Sequence, residues 1–547
     1  MLRVHCYLVP WLFLVAYTCS GLAGLIYEVS WTRLLTLHIG HTTAAASAVV
    51  AAFLGGLAVG AAAVGPLASR WSPRESLKAY VGLELGVVVA AALLPLELSA
   101  LTPLLRWAYG DGEPSLLFPL IRIAACLVMV FIPALALGAT FPLAIRWFAD
   151  GSDQPARQGS TLYFLNTVGA AAGALLAGFV LIPRLGIANT TYVGMTASVI
   201  AAACVWMVLG TSSTFTSGGS ADQPDTVRPG LKSRPYARPD ARPDASNYDR
   251  DRAWLPAVVL GLSGFASLLH EIAWTRILSL VLGPTTYAFA AALAAVIAGV
   301  ALGSGVGTWL VSRTKRPAAW LASTLSLAAL ITSWTYSLAG NQIPMIVARQ
   351  VAGSSSVFDQ LLTQGALLTA ALVVPTAACL GAAFPLALSL AADPERAAAS
   401  RFSLVYAINT IGAVSGSLAA GFWFIPRFGL QPTLWTASGC LVLAALIVVS
   451  RAGKSWPLRL AGGAMAVVTT LLIAASPAWD RELLASGVYM YAPYVPPDLD
   501  LETQLKAGTL LYYREGASAT VSVKKLTGTM TLAVDGKTDA SDRKSVV

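Results

Sequence analysis

Charge is scarce in this chain. Asp, Glu, Lys and Arg make up 12% of its 547 residues, about half the roughly 25% usual in soluble domains. So few ions cannot cover a globular surface, which excludes an ordinary soluble enzyme. Cysteine and histidine are thin as well. Cys6, Cys19, Cys126, Cys204, Cys379 and Cys440 lie in or beside apolar runs without C-x-x-C spacing, and they read as small hydrophobes. His38 and His41 are three apart, but no cysteine or carboxylate cluster accompanies them, so no metal and no other cofactor is expected. The polar C-terminal segment has no G-x-G-x-x-G, Walker sequence, nucleophile elbow or H-E-x-x-H. Nothing in the chain assembles a recognisable catalytic centre.

Apolar mass is what the chain has. Hydrophobic residues make up 56% and mean hydropathy is +0.68. A membrane helix needs about 20 apolar residues, and a dozen such runs follow one another with short polar joints. The pattern predicts a polytopic α-helical membrane protein whose principal partner is the lipid bilayer. The net charge of +9 then serves topology in cytoplasmic loops, and no nucleic acid is expected.

The chain repeats itself. Residues 20–70 align without a gap on residues 263–313 at an offset of 243, with 23 of 51 positions identical. The offset persists: LGATFPLAI (137–145) matches LGAAFPLAL (380–388), and Tyr163, Asn166, Thr167, Gly169 and Gly173 recur as Tyr406, Asn409, Thr410, Gly412 and Gly416. Each unit holds six apolar runs. An even number of crossings returns the chain to its starting side, so the two six-helix repeats should be parallel, related by an axis along the membrane normal. The expected organisation is a first repeat over 1–210, a disordered cytoplasmic linker over 211–252, a second repeat over 253–450, a further membrane helix over 451–476 and a β-rich fragment over 477–547.

Basic residues concentrate in the loops on the side of the N-terminus, including seven between Arg228 and Arg252, so the N-terminus is placed in the cytoplasm of a plasma-membrane protein. The Arg-Pro steps of RPYARPDARPD (234–244) favour extended chain and forbid helix. After Pro477, LLYYREG, SATVSVKK and TMTLAVDG alternate as strands do. Three strands alone are marginally stable. Thirteen crossings put this tail on the outer side.

The candidate site residues are the ionisable and amide groups inside the runs. YEVSWTR (27–33) is echoed as HEIAWTR (270–276). Glu28 and Arg33 are five residues apart, roughly 140° around a helix, and cannot pair within it. One reading has the units exchange charges, Glu28 meeting Arg276 and Glu271 meeting Arg33, because ionisable groups at membrane depth need partners. The other ends the helix at the outer interface, with Trp31 and Trp274 in the aromatic belt. Asn166 and Asn409, followed by Gly-x3-Gly, serve helix packing or touch a substrate. Glu84 has no acidic counterpart in the second unit and is a proton or cation site, or else lies near the inner interface. Pro142 and Pro385 interrupt the fourth runs, either exposing carbonyls to a cavity or opening a short cytoplasmic helix.

At GLAGLIYEVSWTRLLTLHIG and GFASLLHEIAWTRILSLVLG, with WDRELLASGVYMYAP (479–493) and LLYYREGASATVSVKK, the chain resembles membrane-fused spermidine-synthase-like proteins. The resemblance implies polyamine metabolism: aminopropyl transfer from decarboxylated S-adenosylmethionine to putrescine on a Rossmann-like domain with a glycine-rich loop. The positions for that loop and its catalytic acid are missing before Val547, so the expectation is a C-terminally truncated membrane module without catalytic residues. By topology the six-plus-six arrangement also looks like the major facilitator architecture. The alternative function is therefore a secondary transporter of a polyamine or another small solute, with Glu28, Glu84 and Glu271 as candidate ligands.

Overall fold

A computed structural model describes residues 2–39, 43–109, 117–149, 152–214, 246–353, 358–392, 398–452 and 456–542. The first unit comprises α1 (Leu2–Ile39), α2 (Thr43–Ala68), α3 (Pro73–Tyr109), α4 (Leu117–Phe148), α5 (Pro155–Leu176) and α6 (Ile182–Thr214). The second comprises α7 (Ser246–Leu282), α8 (Thr286–Arg313), α9 (Pro317–Ala339), the short α10 (Gln342–Gly353), α11 (Phe358–Ala391), α12 (Ala398–Ala419), the one-turn α13 (Ile425–Phe428) and α14 (Leu430–Ala452). Of the expected linker, residues 215–245 lie outside the described residues, while 211–214 finish α6 and 246–252 begin α7. His41 and the side chain of His38 also lie outside them.

Local chemistry sets the helix ends. Proline opens α3, α5 and α9, where its missing N–H costs nothing. Thr285 caps α8 by accepting from Ala288 N at 3.1 Å. One apolar helical stretch, Pro155–Thr211, runs 57 residues, about 85 Å at 1.5 Å per residue against a hydrocarbon core of about 30 Å. It is two crossings. Gly186 breaks it at φ 79, and the matching Gly429 separates α13 from α14 at φ 89, a backbone region that a side chain rarely tolerates. Pro142 and Pro385 lie inside the continuous α4 and α11, so neither opens a new helix.

The units pack alike. In each, the first helix lies against the fifth and sixth, and the second against the fourth. Close approach is built on glycine. A Cβ on Gly60 or Gly303 would run into the carbonyl oxygen of Leu135 or Ala378, and one on Gly169 or Gly412 into that of Thr18 or Gly261. Each collision recurs at the offset of 243. Between units, α2 packs on α12 and α5 on α8, with Ser417 Oγ donating to Ser47 O at 3.2 Å and Thr308 Oγ1 to Ser160 O at 3.3 Å. This is the parallel two-fold arrangement the repeat predicts.

A thirteenth long helix, α15 (Trp456–Ala475), runs back along α9 and α14. Its 20 residues reach about 30 Å, from the end of α14 to the end of α9. There Trp479 Nε1 donates to Tyr336 O at 3.1 Å and Gln431 Nε2 to Pro477 O at 2.9 Å. The tail thus emerges on the face opposite the start of α7, here called the tail side, while the start of α7 marks the linker side.

The short helices α16 (Arg481–Leu484), α17 (Val488–Tyr491) and α18 (Leu501–Leu505) lead into an antiparallel meander of β1 (Thr509–Glu515), β2 (Thr520–Leu526), β3 (Thr529–Val534) and β4 (Lys537–Ser541). That is one strand more than the alternation suggested. Two-residue turns at Thr527-Gly528 and Asp535-Gly536, all four with positive φ, match the right-handed twist of the strands they join.

Candidate functional site

On α1, residues 17, 21, 24, 25 and 28 share one face at 3.6 residues per turn. Tyr17, Gly21, Gly24 and Leu25 line a small cavity of about 70 Å³, bounded further by Phe53, Thr140, Tyr163, Asn166 and, from the second unit, Tyr406. Glu28 continues the stripe one turn toward the tail side. It lies close enough to Glu271 for the two carboxylates to act on each other, and it acts on Tyr406 too. Two acids at matching repeat positions, one on each unit, therefore feel each other's charge, and Tyr17, Phe53, Phe141, Tyr163 and Tyr406 give the cavity an aromatic share of its wall.

The linker-side end of the cavity is shut by rings that cross the unit boundary. Phe141 stacks on Tyr406 with centroids 4.9 Å apart, and Tyr163 stacks on Phe384 at 3.9 Å. Phe141 corresponds to Phe384 and Tyr163 to Tyr406 at the offset of 243, so the quartet is itself two-fold. Each ring lies within about three turns of a linker-side helix end. The residues were visible in the repeat, but their meeting depends on tertiary packing that periodicity does not encode.

The ionisable candidates part ways. Among the described residues no ion pair joins Glu28 to Arg276 or Glu271 to Arg33, which corrects the expected exchange of charges. The acid that acts on Glu28 across the units is its own counterpart, Glu271. Arg276 is 5% exposed and reaches into the tail: it donates to Ser518 O at 3.0 Å and Thr520 Oγ1 at 3.4 Å, and lies 3.9 Å from Asp535 Oδ1. Arg33, its counterpart, is half-buried near the tail-side end of α1. The aromatic-belt reading fails too, because Trp31 and Trp274 are each only 1% exposed and pack within protein.

Asn166 stands on the cavity wall, its backbone carbonyl and Oδ1 where a Cβ on Gly21 would fall, and Asn409 meets Gly264 in the same way. Glu84 is fully buried in α3, behind the cavity. Its two oxygens make no hydrogen bond among the described residues.

No protein-family model matches the chain, and no curated protein matches it. Similar solved structures are transporters of the major facilitator superfamily. A bacterial homologue of the iron transporter ferroportin in an outward-facing state aligns over 82% of this chain and 100% of its own, at 13% identity and a TM-score of 0.52. The proton:xylose symporter XylE bound to 6-bromo-6-deoxy-D-glucose aligns over 83% of this chain and 98% of its own, at 15% identity and a TM-score of 0.50. At such identities the likeness establishes the fold: an all-α multi-pass membrane protein of two parallel six-helix repeats. It overturns the resemblance to spermidine-synthase fusions and the reading of this chain as their membrane module, since nothing in the comparisons points to an aminopropyltransferase. Short shared words such as E-x-x-W-T-R mark the ends of α1 and α7, positions that the bundle itself constrains.

Proposed function

We propose that the chain is a secondary transporter of the plasma membrane that moves a small organic cation by alternating access, with its N-terminus and linker in the cytoplasm. Polyamines are one class of such cations. The observation that carries this reading is that Glu28 and Glu271, at matching positions of the two units, lie near enough to act on each other electrostatically, with a cavity lined by Tyr17, Tyr163 and Tyr406 next to Glu28 along α1. Two carboxylates within each other's field at membrane depth repel, and a cation bound between them relieves that repulsion. Aromatic faces supply the rest of a cation site through their quadrupoles. The amide of Asn166 adds an acceptor on the wall. The fold is shared with a protein named as a homologue of an iron transporter and with one named as a proton:xylose symporter, which supports small-solute transport without indicating the solute.

The experiment is uptake of labelled putrescine and spermidine into proteoliposomes containing the full chain. Wild-type protein is expected to take up one of them, and Glu28→Gln and Glu271→Gln to reduce uptake to background while the protein remains folded by size exclusion. Unchanged uptake in both variants, or uptake of neutral sugars only, refutes the cation assignment.

A further inference from the structure

We infer that Glu84 is a proton-binding site set behind the solute cavity, with the Ser20 hydroxyl linking the two. The inference rests on the transport reading and names the ion coupled to it. Glu84 lies 11 residues past Pro73, the start of α3, about 16 Å along the helix and so near mid-membrane. It is 0% exposed. The groups beside it are hydroxyls: Tyr80 from its own helix, Ser20 from α1 and Ser198 from α6, while Tyr17, Cys19 and Tyr27 of α1 lie near enough to feel its charge. Among the described residues, α4, which packs on α3 as α6 does, brings no charged group to it.

An ionised carboxylate in such a cage, with no counter-cation, costs far more than the neutral acid. The neutral acid suits its surroundings. One oxygen gains an O–H that donates to Ser20, Ser198 or Tyr80, and the other oxygen accepts from a second hydroxyl. In the present arrangement the Ser198 and Tyr80 hydroxyls are buried beside the carboxyl without completing a hydrogen bond, so a small rotation closes the network. Binding is the addition of one proton to one carboxylate oxygen, and no other bond changes.

The cage occurs once in a duplicated chain. At the offset of 243, Tyr17 and Ser198 fall on Leu260 and Leu441, and counting from the prolines that open α3 and α9 places Glu84 on Ala328. All three counterparts are buried. The bundle therefore packs the same places with apolar groups, and the acid is not needed for the fold. Ser20 alone keeps its identity, as Ser263, and with Tyr17 it also lines the cavity. Movement of α1 during alternating access changes what Ser20 offers to Glu84, which couples proton occupancy to the state of the cavity.

Two measurements test this. In proteoliposomes, Glu84→Gln is expected to keep exchange of labelled for unlabelled putrescine and to lose accumulation driven by an imposed pH gradient. Full gradient-driven accumulation in the variant overturns the proposal. Infrared difference spectra of the purified full chain read the site without any solute: the carbonyl stretch of a protonated carboxylic acid is expected in wild type, absent in Glu84→Gln, and shifted in frequency by Ser198→Ala. The same band in wild type and Glu84→Gln overturns the proposal even where no putrescine exchange is found, whereas a band that vanishes while exchange is absent in wild type leaves the proton site standing and removes only the cargo. If Glu84→Gln does not fold, the Ser198→Ala shift decides, and an unmoved band overturns the site.

Discussion

Phe141 and Tyr406 belong to different repeats, yet their rings stack at an interplanar angle of 26°. With the related stack of Tyr163 on Phe384 they form an aromatic quartet at the linker-side end of the cavity, three of whose rings line it. Stacked pairs contribute about 0.5 to 1.5 kcal/mol each beyond the area they bury. Replacing Phe141 and Phe384 with alanine removes one ring from each stack, for a loss of about 1 to 3 kcal/mol from the state closed on the linker side. That corresponds to a shift of about 5- to 150-fold in the closed-to-open ratio. With a cysteine at Thr140 in a cysteine-free background, a membrane-impermeant maleimide added from the linker side should react faster in the double variant by a factor in that range. Equal rates would show that these rings do not hold the closure.

The tail is clamped to the second repeat through one buried guanidinium. Arg276 serves Ser518, Thr520 and Asp535 at once, and Glu515 Oε2 accepts from Leu430 N at 2.6 Å where α14 begins. Hydrogen bonds to charged groups contribute about 1.5 to 3 kcal/mol. Arg276→Met should therefore raise the rate of limited proteolysis within residues 477–542 by about one to two decades. Asp535→Asn should do so less, because two of the three partners of Arg276 remain. The double variant should cost less than the sum of the singles, since the two residues share an interaction.

Much of the fold was legible because the repeat is written directly in the residues. Gly56, Gly60, Gly169 and Gly173 and their partners at 299, 303, 412 and 416 carry the packing, and each collides with the backbone the repeat predicts. The thirteenth helix followed from its apolar run. The site was less legible. Glu28 and Glu271 stood out as ionisable groups at membrane depth, but the direction of their contacts did not follow from spacing on one helix. The tail, 242 residues or more along the chain, captures Arg276, and no local pattern encodes a contact of that separation. For the same reason Phe384 and Phe141 read as parts of a motif and not as a closure.

Close packing makes a sharp prediction for glycine. A Cβ on Gly169 would run into the carbonyl of Thr18, whereas one on Gly82 meets nothing within 4 Å. Overpacking of this kind costs about 1 to 3 kcal/mol, while alanine in an open helix position is better than glycine by about 1 kcal/mol. Gly169→Ala should lower the thermal midpoint of the detergent-solubilised protein and Gly82→Ala should hold or raise it. The order reversed would mean that α1 and α5 do not approach as described.

Docking of the tail should also depend on acid. Burial pushes the Asp480 carboxyl up, but the hydrogen bond from Lys506 at 2.6 Å and the backbone N–H of Leu483 at 3.0 Å outweigh it and hold the group below its ordinary value. The same contacts raise Lys506, through Asp480 first and Glu502 second. A carboxyl lowered by contacts within the tail binds fewer protons when the tail is folded, as it is when docked, than when it is unfolded. Its contribution is complete at neutral pH, starts to fall as pH drops through the ordinary aspartate value of about 3.9, and is gone below the docked value. Hydrogen exchange of residues 480–505 should therefore accelerate, relative to the intrinsic rate, below about pH 4. Lys506→Met removes the partner that lowers Asp480, so its tail should exchange faster at neutral pH and lose less protection on acidification. Acid sensitivity equal to wild type in that variant would assign the effect to other carboxylates of the tail.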